Sequence, residues 1–319
     1  MVMALAALTV IFAGMSGRPA HAEDPDISSR RAAERTDFTD AEIKDGFFKI
    51  AFNAELQLGA PAERVRKFDE PVRIFLDSKS EPDRRPEITA IIADIKAHVD
   101  HLDVAVTDDQ QAANFTVRLV PAHDLDRTIR SLYGRGKAKR IQQALNPQCL
   151  SGIGKDQRFR IRRAEVILPI DAGDFTFYDC AYEELLQALG AINDDRSVPW
   201  TMFNDDVQMG FFDVYDQYLL NILYDPRVRP GMTKDEVSDP HGEERVFARL
   251  RTMLRIAGRT MRSDNGSKRF LIVCDRRLPG LRATRQIEIA DPYARRRHHV
   301  GQQRVDFGLG HPGAKARVV

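Results

Sequence analysis

The stretch Cys180-Ala-Tyr-Glu-Glu-Leu-Leu-Gln-Ala-Leu-Gly-Ala-Ile-Asn-Asp194 decides how the chain is interpreted. At 100° per residue, its apolar side chains form one stripe, which predicts a helix packed on a core. Glu183 and Gln187 lie one turn apart on the other side of this helix. A glycine then allows the chain to leave the helix and bring Asn193 or Asp194 back toward them. We therefore expect a polar face with stacked oxygen acceptors.

The chain alternates strands and helices upstream of this helix and is helical downstream of it. A capping box at Thr39 and Glu42 predicts the start of the first helix. Alternating or β-branched runs predict strands over residues 65–76 (interrupted by Asp69-Glu70-Pro71), 104–106, 115–120 and 158–170. Helical periodicity predicts helices over residues 86–100, 124–145 (with a break at Gly134), 177–192, 212–224 and 241–262. This order indicates the α+β class, a small mixed sheet packed on helices with a helical C-terminal half.

Three separated blocks resemble a bacterial exported family. They are Glu183-Glu184-x-x-Gln187-x-Leu189-Gly190-x-x-Asn193-Asp194, Phe203-Asn204-Asp205-Asp206 and Leu223-Tyr224-Asp225-Pro226-x-x-x-Pro230-Gly231-Met232-Thr233. In this order and spacing they are similar to the family catalogued as domain of unknown function 2927, from about Phe47 to about Thr260. The resemblance implies an envelope protein without an assigned activity.

The helix also resembles, more distantly, the zinc-binding helix of the metzincins, H-E-x-x-H-x-x-G-x-x-H/D. In that signature, two histidines and a residue after the glycine hold zinc, and the glutamate activates the bound water. Aligned on the shared glycine, Glu183 and Gln187 take the two helical ligand positions and Glu184 the general-base position. Asn193 or Asp194 takes the third ligand position. This resemblance implies a zincin-like fold.

The residues that differ from the metzincin signature are the zinc ligands. Thr201-Met202-Phe203 stands where these enzymes have their methionine turn, but no histidine occupies a ligand position. Imidazole binds zinc well, whereas the amide of Gln187 is a poor ligand. We therefore expect no zinc or other cofactor, and a degenerate zincin-like domain with a structural or binding role. The alternative is an unconventional metal-dependent hydrolase or peptidase with Glu184 as general base and a hard metal ion held by oxygen ligands.

The polar side chains of this region permit further interpretations. Glu183 and Glu184 could form a catalytic carboxylate pair, or they could complement the helix dipole and meet solvent. We favour a buried polar network that locks the helix against the following turn, made of Glu183, Gln187, Asn193, Asp194, Asn204 and Asp205. Trp200 either lines a groove for a sugar or peptide or fills the core.

The N-terminus has the features of a cleaved secretory signal. Residues 4–15 are apolar and Ala20-His21-Ala22 forms a small-x-small cleavage site, although Met1-Val2-Met3 carries no basic residue. We expect a signal peptide over residues 1–22 and a mature protein in the periplasm or the extracellular medium. Export permits disulfides, and we expect Cys149, in a loop, to bridge to Cys180, at the start of the helix. Cys274 is then left as a buried thiol.

Composition limits the classes of partner. Among 319 residues, 43% are hydrophobic, and 48 basic residues balance 47 acidic ones. Loss of Arg18 with the signal leaves the mature chain neutral, which argues against a nucleic-acid or general polyanion binder. No run after the N-terminus is long enough to span a bilayer. The expected partner is an envelope protein, a peptide or a glycan.

The same patterns divide the chain into segments. We expect a polar leader over residues 23–38, the zincin-like domain over residues 39–265 and a C-terminal extension over residues 266–319. The extension has short strands at 268–274 and 284–290, and from Arg276 onward it contains ten Lys or Arg against three acids. Its basic tail either attaches to an anionic envelope surface or is a solvated end.

Overall fold

A computed structural model describes residues 23–52, 54, 63–78, 80–145 and 147–238. Several predictions lie outside the described residues, namely the signal peptide, the helix over 241–262, the two strands of the C-terminal extension, the buried thiol of Cys274 and the basic tail. These stay predictions.

One sheet of five strands organises the described residues. Its strands are β1 (Val72–Ser78), β2 (Val104–Val106), β3 (Phe115–Val120), β4 (Leu150–Lys155) and β5 (Ile161–Pro169). They lie in the order β2-β1-β3-β5-β4. Strands β2, β1, β3 and β5 run parallel to one another, and β4 runs antiparallel to β5 at one edge of the sheet. The expected mixed sheet is confirmed, and its parallel pairs are joined by the helical crossovers that such pairs require.

Helices pack on the sheet and, together with loops, make up the rest of the described chain. They are α1 (Pro25–Ala32), α2 (Asp40–Ile50), α3 (Arg85–His98), α4 (Leu125–Ala144), α5 (Asp174–Ala188), α6 (Val214–Tyr224) and α7 (Lys234–Val237). After β5 the described chain is helical, as the sequence predicts. None of the helices within the described residues has the length and apolar character needed to cross a membrane.

Local sequence explains where the first two helices begin. In the leader, the Asp24 carboxylate accepts a hydrogen bond from the N–H of Asp26, and buried Ile27 fixes α1 to the core. The leader is polar but contains this packed helix. At α2, Thr39 and Glu42 form the predicted capping box, with each side chain bonded to the other residue's backbone N–H.

Two of the strand assignments from sequence differ from the structure. The strand predicted over 65–76 begins only at Val72, because Pro71 has no N–H to donate and the carboxylates of Asp69 and Glu70 form ion pairs with Arg160 and Arg162 at the start of β5. Strand β4 was not predicted at all. Its two glycines, Gly152 and Gly154, interrupt the alternation that marks a strand.

Helix α4 is a helical hairpin and not a straight rod. Gly134 has φ 75° and ψ 161°, which breaks the helix at the predicted position. The side chains of Asp126 and Gln142, 16 residues apart, hydrogen-bond to each other, so the two halves must fold back on one another. Both halves pack against Leu150 of β4 and Ile167 of β5.

The two faces of the sheet therefore carry different layers. Val166 and Leu168 of β5 belong to the main core with α3, α5 and α6, whereas Ile167 between them faces the α4 hairpin. Helix α5 follows β5 directly and contacts both β5 and β4. Among the described residues, the edge of β4 away from β5 pairs with no strand, and it is flanked by α4 on one side and by α5 on the other.

Candidate functional site

A cavity of about 620 Å³ lies at this free edge of the sheet. Strand β4 contributes Leu150 to Ile153 and Lys155, and α5 contributes one wall with Asp179, Glu183, Glu184 and Gln187. The opposite wall consists of Tyr133, Ile141 and Leu145 from the α4 hairpin and its end. We call this cavity the cleft. Its base is a strand edge, and its walls are two helical elements.

Strand β4 presents different side chains to the two walls. Ser151 pairs with Val166, which faces the main core, so the serine points to the α5 side. Gly152 pairs with Glu165 on the α4 side. A Cβ at Gly152 would lie 2.1 Å from the Tyr133 hydroxyl, so only glycine permits this approach. Sequence reasoning missed both Ser151 and Tyr133, because β4 had not been recognised.

Gln187 connects α5 to strand β4 and to the turn that follows the helix. The Ser151 hydroxyl donates a hydrogen bond of 3.0 Å to Gln187 Oε1, and Gln187 Nε2 donates one of 2.9 Å to Asp194 Oδ1. The Gln187 residue is 7% exposed. Its amide therefore joins the helix to the edge strand and to the chain that follows the helix. Both ends of the amide are engaged, as a buried amide requires.

The turn after α5 brings Asp194, and not Asn193, to the cleft. Gly190 has φ 128°, and a Cβ there would lie 2.2 Å from the carbonyl oxygen of Arg66, so no other residue fits. Asn193 points elsewhere, since its Nδ2 donates 2.9 Å to the carbonyl of Lys49. Asp194 lines the cavity together with Glu183 and Gln187. The open choice between Asn193 and Asp194 is therefore answered by the backbone.

The disulfide between Cys149 and Cys180 closes one end of the cleft. Its Cα atoms are 6.0 Å apart, and it links residues 31 positions apart in the chain. Cys149 precedes β4 directly, as expected for a loop residue. The prediction that Cys180 opens the helix was wrong, because α5 begins at Asp174 and Cys180 lies in its second turn. The bridge therefore holds the start of β4 against the middle of α5.

Acidic groups outnumber basic ones in the cleft. Its acids are Asp179, Glu183, Glu184, Asp194 and Asp205, and its bases are Arg66 and Lys155. Burial lowers the pKa of Arg66 to about 10, so this guanidinium stays charged at neutral pH. Burial also raises the pKa of Asp179, although the N–H groups of Met209 and Gly210 oppose that rise. The cleft as a whole carries an excess of negative charge.

Tyr133 is the third group with a shifted pKa at the cleft. Burial raises the pKa of its phenol to about 12, and the negative charges of Glu165 and Glu184 add to this shift. Tyr133 therefore stays protonated throughout the physiological range. A neutral phenol and the carboxylic side chain of Glu184 thus belong to the same cavity, from opposite walls.

The remaining predicted residues lie around the mouth of the cleft or away from it. Asn204 lines the cavity and is buried, and its Nδ2 donates 3.0 Å to the carbonyl of Val198. Asp205 is exposed and forms an ion pair with Arg196 at 3.0 Å. Trp200 is not among the cavity-lining residues; it packs against Phe38 and the core. Of its two interpretations, the structure supports core packing.

The turn with Met202 is held by a separate set of buried acids. Asp216 of α6 accepts hydrogen bonds from the Thr201 hydroxyl and, at 2.8 Å, from the N–H of Met202. Asp213 caps α6 by accepting from the Asp216 N–H. Both aspartates are fully buried, at 2% and 0% exposure for Asp213 and Asp216. Burial, and then the charge of Asp216, raise the pKa of Asp213 well above its usual range.

The geometry of the helical ligand positions is unfavourable for a metal ion. Within the part of the chain that the structure describes, no group of three or more His, Cys, Asp and Glu side chains is placed to hold one. Gln187 would have to break its bonds to Ser151 and Asp194 before its oxygen could turn to a metal. The Gln187 amide therefore takes part in the cleft as a hydrogen-bonding group.

Comparison with known proteins gives one match. The family model described as protein of unknown function (DUF2927) matches residues 40–240, which is more than half of the 319 residues. No curated protein and no solved structure matches the chain.

Proposed function

This chain belongs to the family of proteins of unknown function DUF2927, and we propose that its cleft binds an extended peptide without cleaving it. The observation that carries this proposal is the position of the β4 edge at the base of the cleft. Within the described residues, β4 pairs only with β5, so its other side presents backbone N–H and C=O groups to the cavity. Such an edge accepts an added strand.

The cleft has room for that strand. An added strand lies about 4.8 Å from its neighbour, and the cavity volume of about 620 Å³ is within the usual range for ligand sites. Side chains of an extended peptide alternate, so one set would face the α4 wall and the other the α5 wall. The α4 wall offers Ile141 and Leu145, whereas the α5 wall is acidic. Peptides with basic side chains on one face are therefore preferred.

A degenerate zincin accounts for the arrangement of this site. The order of β5, α5, the Met202 turn and α6 agrees with the order that the metzincin resemblance implies. Glu183 and Gln187 stand at the two helical ligand positions of the signature and line the cleft. The third position, three residues after Gly190, is Asn193, and its neighbour Asp194 lines the cavity instead. Hydrogen bonds of Gln187 join the elements that a metal ion would otherwise join. The hydrolase alternative, with Glu184 as base, is the less supported because Gln187 is engaged.

Export is part of the same proposal. The Cys149–Cys180 disulfide is a bond that persists in oxidising compartments outside the cytosol. Residues 4–22 supply the apolar run and the small-x-small site of a secretory signal. A periplasmic or extracellular location gives the cleft access to envelope peptides and to unstructured segments of envelope proteins.

Photo-crosslinking with a synthetic peptide library tests peptide binding. A photoreactive residue replaces exposed Lys155 at the cleft, and the matched control carries it at exposed Arg158, which does not line the cleft. We expect intact decapeptides to label the first protein and not the second. Methylation of alternate peptide nitrogens should abolish labelling in one register and leave it in the other, because strand addition uses every second N–H. Labelling that ignores backbone methylation would contradict strand addition, and cleaved peptides would favour the hydrolase.

Installing histidines tests the zincin-like arrangement independently of peptide binding. In the variant Glu183→His/Gln187→His/Asp194→His, three imidazoles replace side chains that line one cavity, and we expect it to bind one zinc ion per chain after dialysis. The matched control, Glu183→His/Gln187→His/Asn193→His, places its third imidazole where Asn193 faces Lys49. Equal zinc retention by both variants, or by neither, would contradict the proposed geometry. Folding of each variant is checked by circular dichroism.

A further inference from the structure

The α4 hairpin carries a concentrated positive charge on its solvent side. Its six basic residues are all exposed, namely Arg127, Arg130, Arg135, Lys137, Lys139 and Arg140, and its sequence contains one acid, Asp126. Asp126 is hydrogen-bonded to Gln142 within the hairpin. We call these six residues the basic surface. The chain as a whole is nearly neutral, so this charge is a local feature.

Most of this charge is not neutralised by the surrounding protein. Arg127 forms an ion pair with Asp124 at 2.7 Å. The other five basic residues form no ion pair with any residue in the described ranges. Ala138 and Ile141 are buried against the sheet, whereas Lys137, Lys139 and Arg140 between and beside them are exposed. Helical geometry therefore directs the basic side chains away from the domain.

We propose that the basic surface of α4 docks on an anionic lipid bilayer. Clusters of four to eight Lys or Arg on an amphipathic helix have the charge density that attracts anionic headgroups. The apolar side of the hairpin is buried on the sheet, so the attachment is electrostatic and reversible. A single-stranded nucleic acid fits less well, because recognition of bases needs exposed aromatic rings and the exposed residues of α4 include none.

The docked orientation would also place the cleft close to the membrane. Tyr133 and Ile141, on the inner side of the same hairpin, line the cleft. The hairpin is therefore a layer between the bilayer and the peptide-binding edge. The proposal depends on the charge of α4 and stands whether or not the cleft binds peptides.

Vesicle sedimentation with the mature full-length chain tests this proposal. We expect the protein to sediment with vesicles that contain about a third phosphatidylglycerol and not with pure phosphatidylcholine vesicles. Raising the salt from about 0.02 M to about 0.15 M should weaken the binding, because the Debye length shortens from above 20 Å to about 8 Å. The variant Arg135→Gln/Lys139→Gln/Arg140→Gln should bind on the order of a hundredfold more weakly, since each basic residue contributes about fivefold.

A matched variant separates this surface from general charge. Arg158→Gln/Arg229→Gln/Lys234→Gln removes three exposed basic residues from outside α4 and should bind as wild type does. Equal losses in both variants, or no loss in the α4 variant, would overturn the proposal. So would displacement of the protein from vesicles by stoichiometric single-stranded DNA. Matching thermal unfolding curves exclude misfolding as the cause of a loss.

Discussion

Helices α5 and α6 both bring polar side chains into the interior, but the surroundings of these side chains differ. On α6, Asp213 and Asp216 are sealed in the core, where every contact serves the capping of the helix and the Met202 turn. On α5, Glu184 and Gln187 are each 7% exposed and still line a cavity of about 620 Å³. Purely structural polar groups can be packed without a void, as α6 demonstrates. The open volume beside α5 is the feature on which the proposed peptide site rests.

Removal of the disulfide should lower the free energy of unfolding more than any single substitution on α5 or α6. It removes the bond that holds Cys180 of α5 to Cys149. Cys149→Ala/Cys180→Ala opens a loop of 31 residues, and we expect a loss of about 3–4 kcal/mol in the free energy of unfolding. Urea unfolding of the oxidised proteins measures this loss. Reduction of the wild type should reproduce the variant. Equal stability of oxidised and reduced wild type would mean that the bridge does not support the cleft.

Among single substitutions on α6, Asp216→Asn should cause the largest loss in the free energy of unfolding. The carboxylate accepts from Thr201 and Met202, and an amide can satisfy only one of these donors without turning its NH₂ group toward the other. We expect a loss of about 2–3 kcal/mol in the free energy of unfolding. Asp213→Asn is the matched control, since asparagine caps a helix as well as aspartate does. A similar loss in both variants would contradict the distinct roles of the two acids.

Gln187→Leu should lower the free energy of unfolding by less, because water can reach Ser151 and Asp194 through the cleft and replace the lost hydrogen bonds. We expect a loss of about 1–2 kcal/mol in the free energy of unfolding, from the bonds to Ser151 and Asp194. Gln208→Leu, at an exposed glutamine that also lines the cleft, should change stability by less than about 0.5 kcal/mol. Equal effects of the two substitutions would show that the bonds of Gln187 do not hold α5 in place.

The smallest effect within a single pH unit should be the change in the pH dependence of stability that Asp213 causes. Its folded-state pKa is raised above the unfolded value of about 3.9, so the folded chain retains a proton that the unfolded chain releases. This group therefore makes stability fall as pH rises from about 4 through the folded pKa, by at most about 1.4 kcal/mol per pH unit. Asp213→Asn should flatten this part of the profile, so that its advantage over wild type grows with pH. Parallel unfolding profiles from pH 4 to about 8 would contradict the assignment.

Much of the fold could be predicted from periodicity. Strands β2 and β3 lie at the predicted residues, and the break in α4 falls at the predicted glycine, because these signals are local. Strand β4 could not be found, since Gly152 and Gly154 interrupt its pattern and Gly152 is explained only by the approach of Tyr133 from α4. The choice between parallel and antiparallel pairing likewise depends on contacts between segments far apart in sequence.

In the site, too, residues close in sequence could be predicted to lie together, whereas contacts between distant segments could not. The spacing predicted a shared face for Glu183, Gln187 and either Asn193 or Asp194, and of these four Asn193 does not line the cleft. Ser151 could not be anticipated, because its hydrogen bond to Gln187 joins residues 36 positions apart. Burial of Gln187 also differs from the expectation of a polar face opposite the core, since β4 covers that face.

The order of the cysteines along the chain bears on how the protein matures. Cys149 and Cys180 are consecutive cysteines, and Cys274 comes 94 positions after Cys180. A chain that enters an oxidising compartment with its N-terminus first presents the native pair before the third thiol arrives. A simple thiol oxidase is then sufficient to form the correct bond, and no disulfide isomerase is needed to correct a wrong one. If the chain is exported as proposed, cells that lack isomerase but keep the oxidase should still produce correctly bridged protein.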